Sequence, residues 1–254
     1  MKCKIINLVL YLIIIIVGAG CSILSAESKL TSDQNPHSFR TEIKKTLEID
    51  YLLYLPEDYA SSDKQWPLML FLHGAGERGD DVNEVKMHGP PKLIAEENKE
   101  FPFVIVSPQC PEGTVWTSDT QTETLDALLK YITSHYRIDE DRVYLTGLSM
   151  GGYGTWRLAC DYPHRFAAIA PICGGGDPRR VENIKHLPVW VFHGAKDPVV
   201  SPEESKEMVE ALKKVGGNVK FTLYPDATHN SWSKTYENPE LYEWLLEYSS
   251  SGNR

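Results

Sequence analysis

Short, mostly apolar runs recur along the chain, each bounded by glycine, proline or a polar turn: Leu68 to Leu72, Phe103 to Val106, Arg142 to Thr146, Phe166 to Ile172, Val189 to Phe192 and Val219 to Leu223. Runs of this length predict strands buried on both faces, hence a mainly parallel sheet. An earlier stretch, Leu47 to Leu55, alternates and is rich in Ile, Leu and Tyr, which predicts a further strand. Between these runs the period changes. Leu125, Leu128, Leu129 and Ile132 fall at helical spacing within 122–136, and Met208, Val209 and Leu212 do so within 202–215. Segments 153–160 and 239–248 read as further helices. Strand and helix alternate to the end of the chain, which predicts a doubly wound α/β domain. Ligands in such sheets bind beyond the carboxyl ends of the strands. His73, Ser107, Ser149, Gly174, Asp197 and His229 follow predicted strands.

The first residues carry a different pattern. Lys2 and Lys4 precede an almost unbroken apolar run, Ile5 to Val17, and Gly18-Ala19-Gly20-Cys21 follows. A basic start, a short apolar stretch and small residues predict a signal peptide over 1–20. The run is shorter than the ~20 apolar residues of a membrane span. Small residues ending in Cys resemble the lipobox of bacterial lipoproteins, which implies lipidation of Cys21. Cleavage after Ala26 is the alternative and would discard Cys21. Residues 21–40 read as a polar tether and 41–254 as one domain. The expectation is a protein exported from a bacterial cell, lipid-anchored, periplasmic or secreted, that meets a membrane only through its anchor.

Composition narrows the class. The chain has 254 residues, 42% of them hydrophobic and 24% charged, as in ordinary globular domains. A net charge of −9 makes nucleic acid and anionic lipid surfaces poor partners. Cys110, Cys160 and Cys173 remain if Cys21 is lipidated, so at most one disulfide can form, and whether it does is open. No C-x-x-C pair and no H-E-x-x-H is present, so no metal site is expected.

The chemistry centres on Gly147-Leu148-Ser149-Met150-Gly151, a G-x-S-x-G between a predicted strand and a predicted helix. The sharp turn holds the serine in a strained conformation, and glycines two residues either side avoid a clash. In this strand–turn–helix setting the acid and then the histidine follow the serine in chain order. Asp197 follows the run ending at Phe192, and His229 follows the last predicted strand. Asp177 is the competing acid. Of the other downstream histidines, His164 and His186 are misplaced, and His193 ends a strand, where packing or a backbone bond is its expected role. Two N–H donors should face the developing oxyanion. Met150 supplies one. The other is assigned to Ala75, with Gly74 its neighbour, in the glycine-rich segment after Leu72. That segment also matches G-x-G-x-x-G, but Asp80, Asp81 and Glu84 follow where a pyrophosphate needs a positive helix end.

Four segments, Leu72-His73-Gly74-Ala75-Gly76-Glu77-Arg78-Gly79, Ser107-Pro108-Gln109-Cys110-Pro111, Gly147 to Gly152 and His193 to Asp197, together resemble the α/β-hydrolase superfamily. Within it they resemble secreted carboxylesterases often labelled "predicted peptidase". These are related to polyhydroxybutyrate-depolymerase-like, feruloyl and acetylxylan esterases, and more distantly to prolyl oligopeptidases. The resemblance spans Leu47 to Tyr248 and implies Ser149, Asp197 and His229 as a catalytic triad acting without a cofactor. It also implies a substrate pocket bordered by Gly74, Trp116 and Trp232, with ordinary core or surface packing the alternative for the two tryptophans. The short segment between Gly174 and Leu187 leaves no room for a large cap, so an open site is expected, unless 77–101 builds one. The substrate class implied is an ester of a small acyl group, feruloyl or acetyl, on a plant cell-wall polysaccharide. A serine peptidase and a non-catalytic surface binding module are the alternatives.

Overall fold

The computed structural model describes residues 38–42 and 44–252. The predicted signal segment, Cys21 and most of the predicted tether lie outside the described residues. The chain divides at Lys44, and the fold below belongs to the unit that begins at Lys45.

Among the described residues, seven strands form one sheet: β1 Tyr51–Tyr54, β2 Trp66–Leu72, β3 Val104–Pro108, β4 Ile138–Leu148, β5 Ala168–Ile172, β6 Val189–Gly194 and β7 Val219–Tyr224. Their order is β1-β3-β2-β4-β5-β6-β7. Only β1 runs antiparallel to its neighbour. Strands β2, β3, β5 and β6 are buried along their whole length, as their unbroken apolar runs require.

Among the described residues, six α-helices, α1 Gly89–Glu97, α2 Asp119–His135, α3 Met150–Asp161, α4 Pro202–Lys214, α5 Trp232–Glu237 and α6 Pro239–Leu246, cover the two faces. Successive strand residues point to opposite sides, so the sheet separates two cores. Leu68, Leu70 and Leu72 of β2 pack with Leu125 and Leu129 of α2, Leu158 of α3 and Leu212 of α4. Met69 and Phe71 face the other way, toward Leu93 of α1, Tyr236 of α5 and Leu241 and Leu245 of α6. Each such side chain contributes about 1.5–3 kcal/mol when fully buried.

Two features depart from the sequence reading. Strand β4 begins at Ile138, because Ile138 pairs with Trp66 of β2. Residues 82–97 form a 3-10 segment, Val82–Met87, and α1. Helix α1 opens with Gly89-Pro90-Pro91, which a first turn tolerates because its N–H groups have no intrahelical acceptor. Val85, Leu93 and Phe101 are buried against the sheet, so this segment is a packed layer. The β5–β6 connection holds only a 3-10 segment, Pro178–Ile184, which leaves no large cap.

Candidate active site

Ser149 stands between β4 and α3 with φ 53° and ψ −115°, a left-handed backbone that non-glycine residues rarely adopt. The neighbouring backbones explain the flanking glycines. A Cβ on Gly147 would strike the Gly151 carbonyl, and a Cβ on Gly151 would strike the Leu72 carbonyl of β2. The turn therefore fits only with glycine at both places, and it presents Ser149 where α3 begins.

The three residues that follow β4, β6 and β7 meet there. His229 Nε2 lies 2.9 Å from Ser149 Oγ, and His229 Nδ1 lies 2.7 Å from Asp197 Oδ2. Asp197 is buried, and its Oδ1 accepts the backbone N–H groups of Val199 at 2.8 Å and Val200 at 3.0 Å. Burial alone would push its carboxyl up, but His229 and these two N–H groups outweigh it and hold it below its ordinary value. The competing acid, Asp177, instead caps the 3-10 segment 178–184 and pairs with Arg179.

His193 has a larger part here than its position at a strand end suggests. It is fully buried, and its Nε2 lies 3.1 Å from both Asp197 Oδ2 and the Val200 carbonyl. Both neighbours are acceptors, so Nε2 carries the proton and donates. Its Nδ1 is 2.7 Å from Ser205 Oγ, which is itself 2.9 Å from the Gly174 carbonyl. Burial, the largest influence, keeps His193 below its ordinary pKa and so neutral. Asp197 thus accepts four hydrogen bonds, one of them from a second histidine.

The segment 73–79 is fixed from within. The Cys110 N–H donates to His73 Nε2 at 2.9 Å, which leaves the ring proton on Nδ1, 2.6 Å from the Gly74 carbonyl. Gln109 Nε2 donates to the carbonyls of Glu77 and Asp81, each at 2.9 Å. Arg78 Nε donates to the Ala75 carbonyl at 2.9 Å. Glu77 is buried with a carboxylate oxygen 3.6 Å from His73 and another 3.6 Å from His88. Burial raises its pKa, yet His73, His88 and the Gly74 N–H together hold it below the ordinary value. Gly74 adjoins Leu148, where a Cβ would stand 2.9 Å from Leu148 Cδ1. Ala75 is therefore carried on an exposed turn beside the end of β4, and Met150 starts α3 next to Ser149.

Trp116 does not border a substrate pocket. It has no exposed surface, packs in the core beneath α2 and α3, and donates from Nε1 to the His73 carbonyl at 3.0 Å. Gly154 of α3 makes room for it, since a Cβ there would lie 2.5 Å from Trp116 Cβ. Its work is to hold segment 73–79. Trp232 is placed differently: half-buried, it meets the His229 ring edge-on at 5.2 Å and the His88 ring at 5.3 Å.

Cys110, Cys160 and Cys173 are all free and buried. Cys173, with φ 41°, brings its sulfur within 4.8 Å of ligand atoms of Asp197 and His229. Burial pushes its thiol up to about 12, and both ring nitrogens of His229 already face Asp197 and Ser149. With both ring nitrogens engaged, this cluster is read as part of the Ser149–His229–Asp197 site, with Cys173 packed beneath it.

The dienelactone hydrolase family model matches residues 112–242, more than half of the chain, including Ser149, Asp197 and His229. A bifunctional acetylxylan esterase/xylanase of Neocallimastix patriciarum is 27% identical over 77% of this chain and 28% of its own length. A protein of Aspergillus terreus named probable feruloyl esterase C is 29% identical over 66% of this chain and 62% of its own. The crystal structure of a thermostable esterase superposes with a TM-score of 0.67 at 41% identity, over 80% of this chain and 60% of that one. The chain thus spans less than two thirds of each of these relatives. By the family model, the doubly wound sheet and the likeness to esterase structures, this chain belongs to the dienelactone hydrolase family of the α/β-hydrolase superfamily.

Proposed function

We propose that the protein hydrolyses carboxylic esters through an acyl-enzyme, with Ser149 as nucleophile. The continuous line from Ser149 Oγ through His229 to Asp197, at 2.9 and 2.7 Å, carries this conclusion. His229 Nε2 takes the hydroxyl proton while Oγ attacks the ester carbonyl. Asp197 holds the ring in the required tautomer and stabilises the imidazolium. The N–H groups of Met150 and Ala75 receive the oxyanion. The C–O bond to the leaving alcohol then breaks, and His229 returns the proton to that oxygen. Water, deprotonated by the same imidazole, attacks the Ser149 ester and releases the acid.

The substrate we favour is a small-acyl ester, feruloyl or acetyl, on a plant cell-wall polysaccharide. The names of the acetylxylan and feruloyl esterase relatives support it. So do the uncapped strand ends, which admit an acyl group attached to a bulky carrier. Trp232, beside His229, offers an apolar wall for the acyl group. Export directed by residues 1–20, with or without a lipid on Cys21, would bring the protein to such a polymer.

The test is turnover of 4-nitrophenyl acetate by the wild type beside Ser149→Ala. The expected loss is at least about 10⁴-fold in kcat, the scale of a missing triad nucleophile. Equal rates in the two proteins would remove Ser149 from the chemistry. Acetylated xylan, methyl ferulate and short aliphatic esters then rank the acyl group.

A further inference from the structure

A groove of about 490 Å³ flanks α3 on the side of the β5–β6 connection. We propose that it binds a neutral oligosaccharide, the carrier of the ester that reaches Ser149; this rests on the ester-hydrolase function proposed above. Its volume falls in the ~300–1,000 Å³ range of small-molecule sites.

The groove begins at Tyr153, one helical turn along α3 from Ser149, which does not itself line it. Tyr153 lines one end, and its N–H donates to the Ser149 carbonyl at 3.1 Å. Cys160 lines the other end, seven residues further along α3, or about 10 Å at the helical rise. Thr117 forms one wall. Gly176 and Arg180 stand on the other. A chain lying along this flank would hold its first unit within one helical turn of the serine.

Charge selects the ligand class. Three arginines line the groove, and each already faces a carboxylate. Arg157 contacts Asp161 at 2.7 Å and Asp119 at 2.6 Å. Arg180 contacts the other oxygen of Asp161 at 2.5 Å, and Arg179 contacts Asp177 at 2.8 Å. The balanced pairs leave little field to draw in an anion. They still offer spare guanidinium N–H donors and carboxylate lone pairs side by side. Trp156 lies at the floor, almost wholly buried, and its indole N–H has no acceptor in the structure. The half-buried Tyr153 ring together with mixed donors and acceptors matches a sugar, whose hydroxyls donate and accept and whose C–H faces are apolar. The Cys160 thiol, pushed up to about 11 by burial, stays protonated, so the groove holds a ligand and does not react with it.

The experiment is a titration of the full-length Ser149→Ala protein with unesterified xylohexaose, followed by calorimetry and by indole fluorescence. Two variants are compared in the same background. Asp177→Ala/Arg179→Ala removes a rim pair without changing net charge. Thr117→Trp fills the groove from its other wall. Thermal melts confirm that each is folded. Saturable binding is expected, weakened about tenfold in the rim variant by the lost hydrogen bonds and abolished in Thr117→Trp. Absence of binding, or binding untouched by either variant, would falsify the proposal. Preferential binding of an anionic oligogalacturonide overturns the charge-balance argument. The esterase function fails separately: wild type inert toward 4-nitrophenyl acetate, with xylohexaose binding intact, condemns the chemistry and not the groove.

Discussion

Two segments flank Ser149 and are held in opposite ways. Segment 73–79 is fixed by buried side chains, His73, Glu77, Gln109 and Trp116, each bonded to or lying against its backbone. The β5–β6 connection is tied down by the buried Ser205–Gly174 contact at its start. Beyond that it is anchored by apolar burial, with Val181 and Ile184 in the core, and only its outer pair, Asp177 and Arg179, meets across solvent, where such pairs add little to stability. The difference follows the demands of the chemistry. Oxyanion donors act only when held in place before the reaction. On the proposed function the β5–β6 connection supplies no such donor, so apolar anchoring suffices there.

The sharpest way to break this comparison is Trp116→Ala. The substitution removes a fully buried indole and the hydrogen bond to His73. It should cost about 3–5 kcal/mol, or about 10 °C of Tm for a domain of this size. Ser149→Ala should leave Tm nearly unchanged, because its side chain is half-buried and polar. A Trp116→Ala protein that melts like the wild type would show that segment 73–79 is not held from the core.

Trp116 also marks the limit of what the sequence tells. Ser149, Asp197 and His229 were legible because each follows a run whose apolar length announces a strand, and chain order then ranks the candidates. Nothing near Trp116 in sequence says which way its ring turns. That is decided by Gly154, far along the chain, and by the His73 carbonyl just past the end of β2. Helix α1 was missed because one aliphatic residue, Leu93, carries its buried face, and prolines open it. The expected role of His193, packing or a backbone bond, holds in its contact with the Val200 carbonyl, but its bond to Asp197 goes beyond it. That bond spans only four residues, but the exposed turn that brings Asp197 back toward His193 leaves no periodic signal.

Glu77→Gln tests the polar half of the same clamp. The neutral amide cannot hold His73 and His88 electrostatically, so Ala75 loses its fixed position. Kinetics should show a lower kcat, by about tenfold for a lost charge-assisted contact, with KM little changed. Stability adds a second readout. The Glu77 pKa is depressed in the fold, so its contribution is complete above the ordinary value of 4.5 and is lost as pH falls through the lowered value. The Tm gap between wild type and Glu77→Gln should therefore be widest near neutral pH and close in acid. A gap that stays constant down to pH ~3 would mean the carboxylate charge contributes nothing.

The smallest effect belongs to His193, on the far side of Asp197 from Ser149. His193→Phe keeps the ring volume and removes the N–H that Asp197 Oδ2 shares with His229. Three acceptor contacts survive at Asp197, so the carboxylate stays in place and the loss in kcat should stay below about tenfold. The charge freed at Oδ2 acts more strongly on the imidazolium of His229. The acidic limb of the kcat/KM profile should then move to higher pH, whereas a purely structural residue would lower the whole profile without moving it. His193→Gln, which keeps an N–H in reach of Asp197, should restore the wild-type limb. If Phe and Gln give the same profile, the shared proton has no part in the chemistry, and His193 matters only through the space it fills beside Ser205.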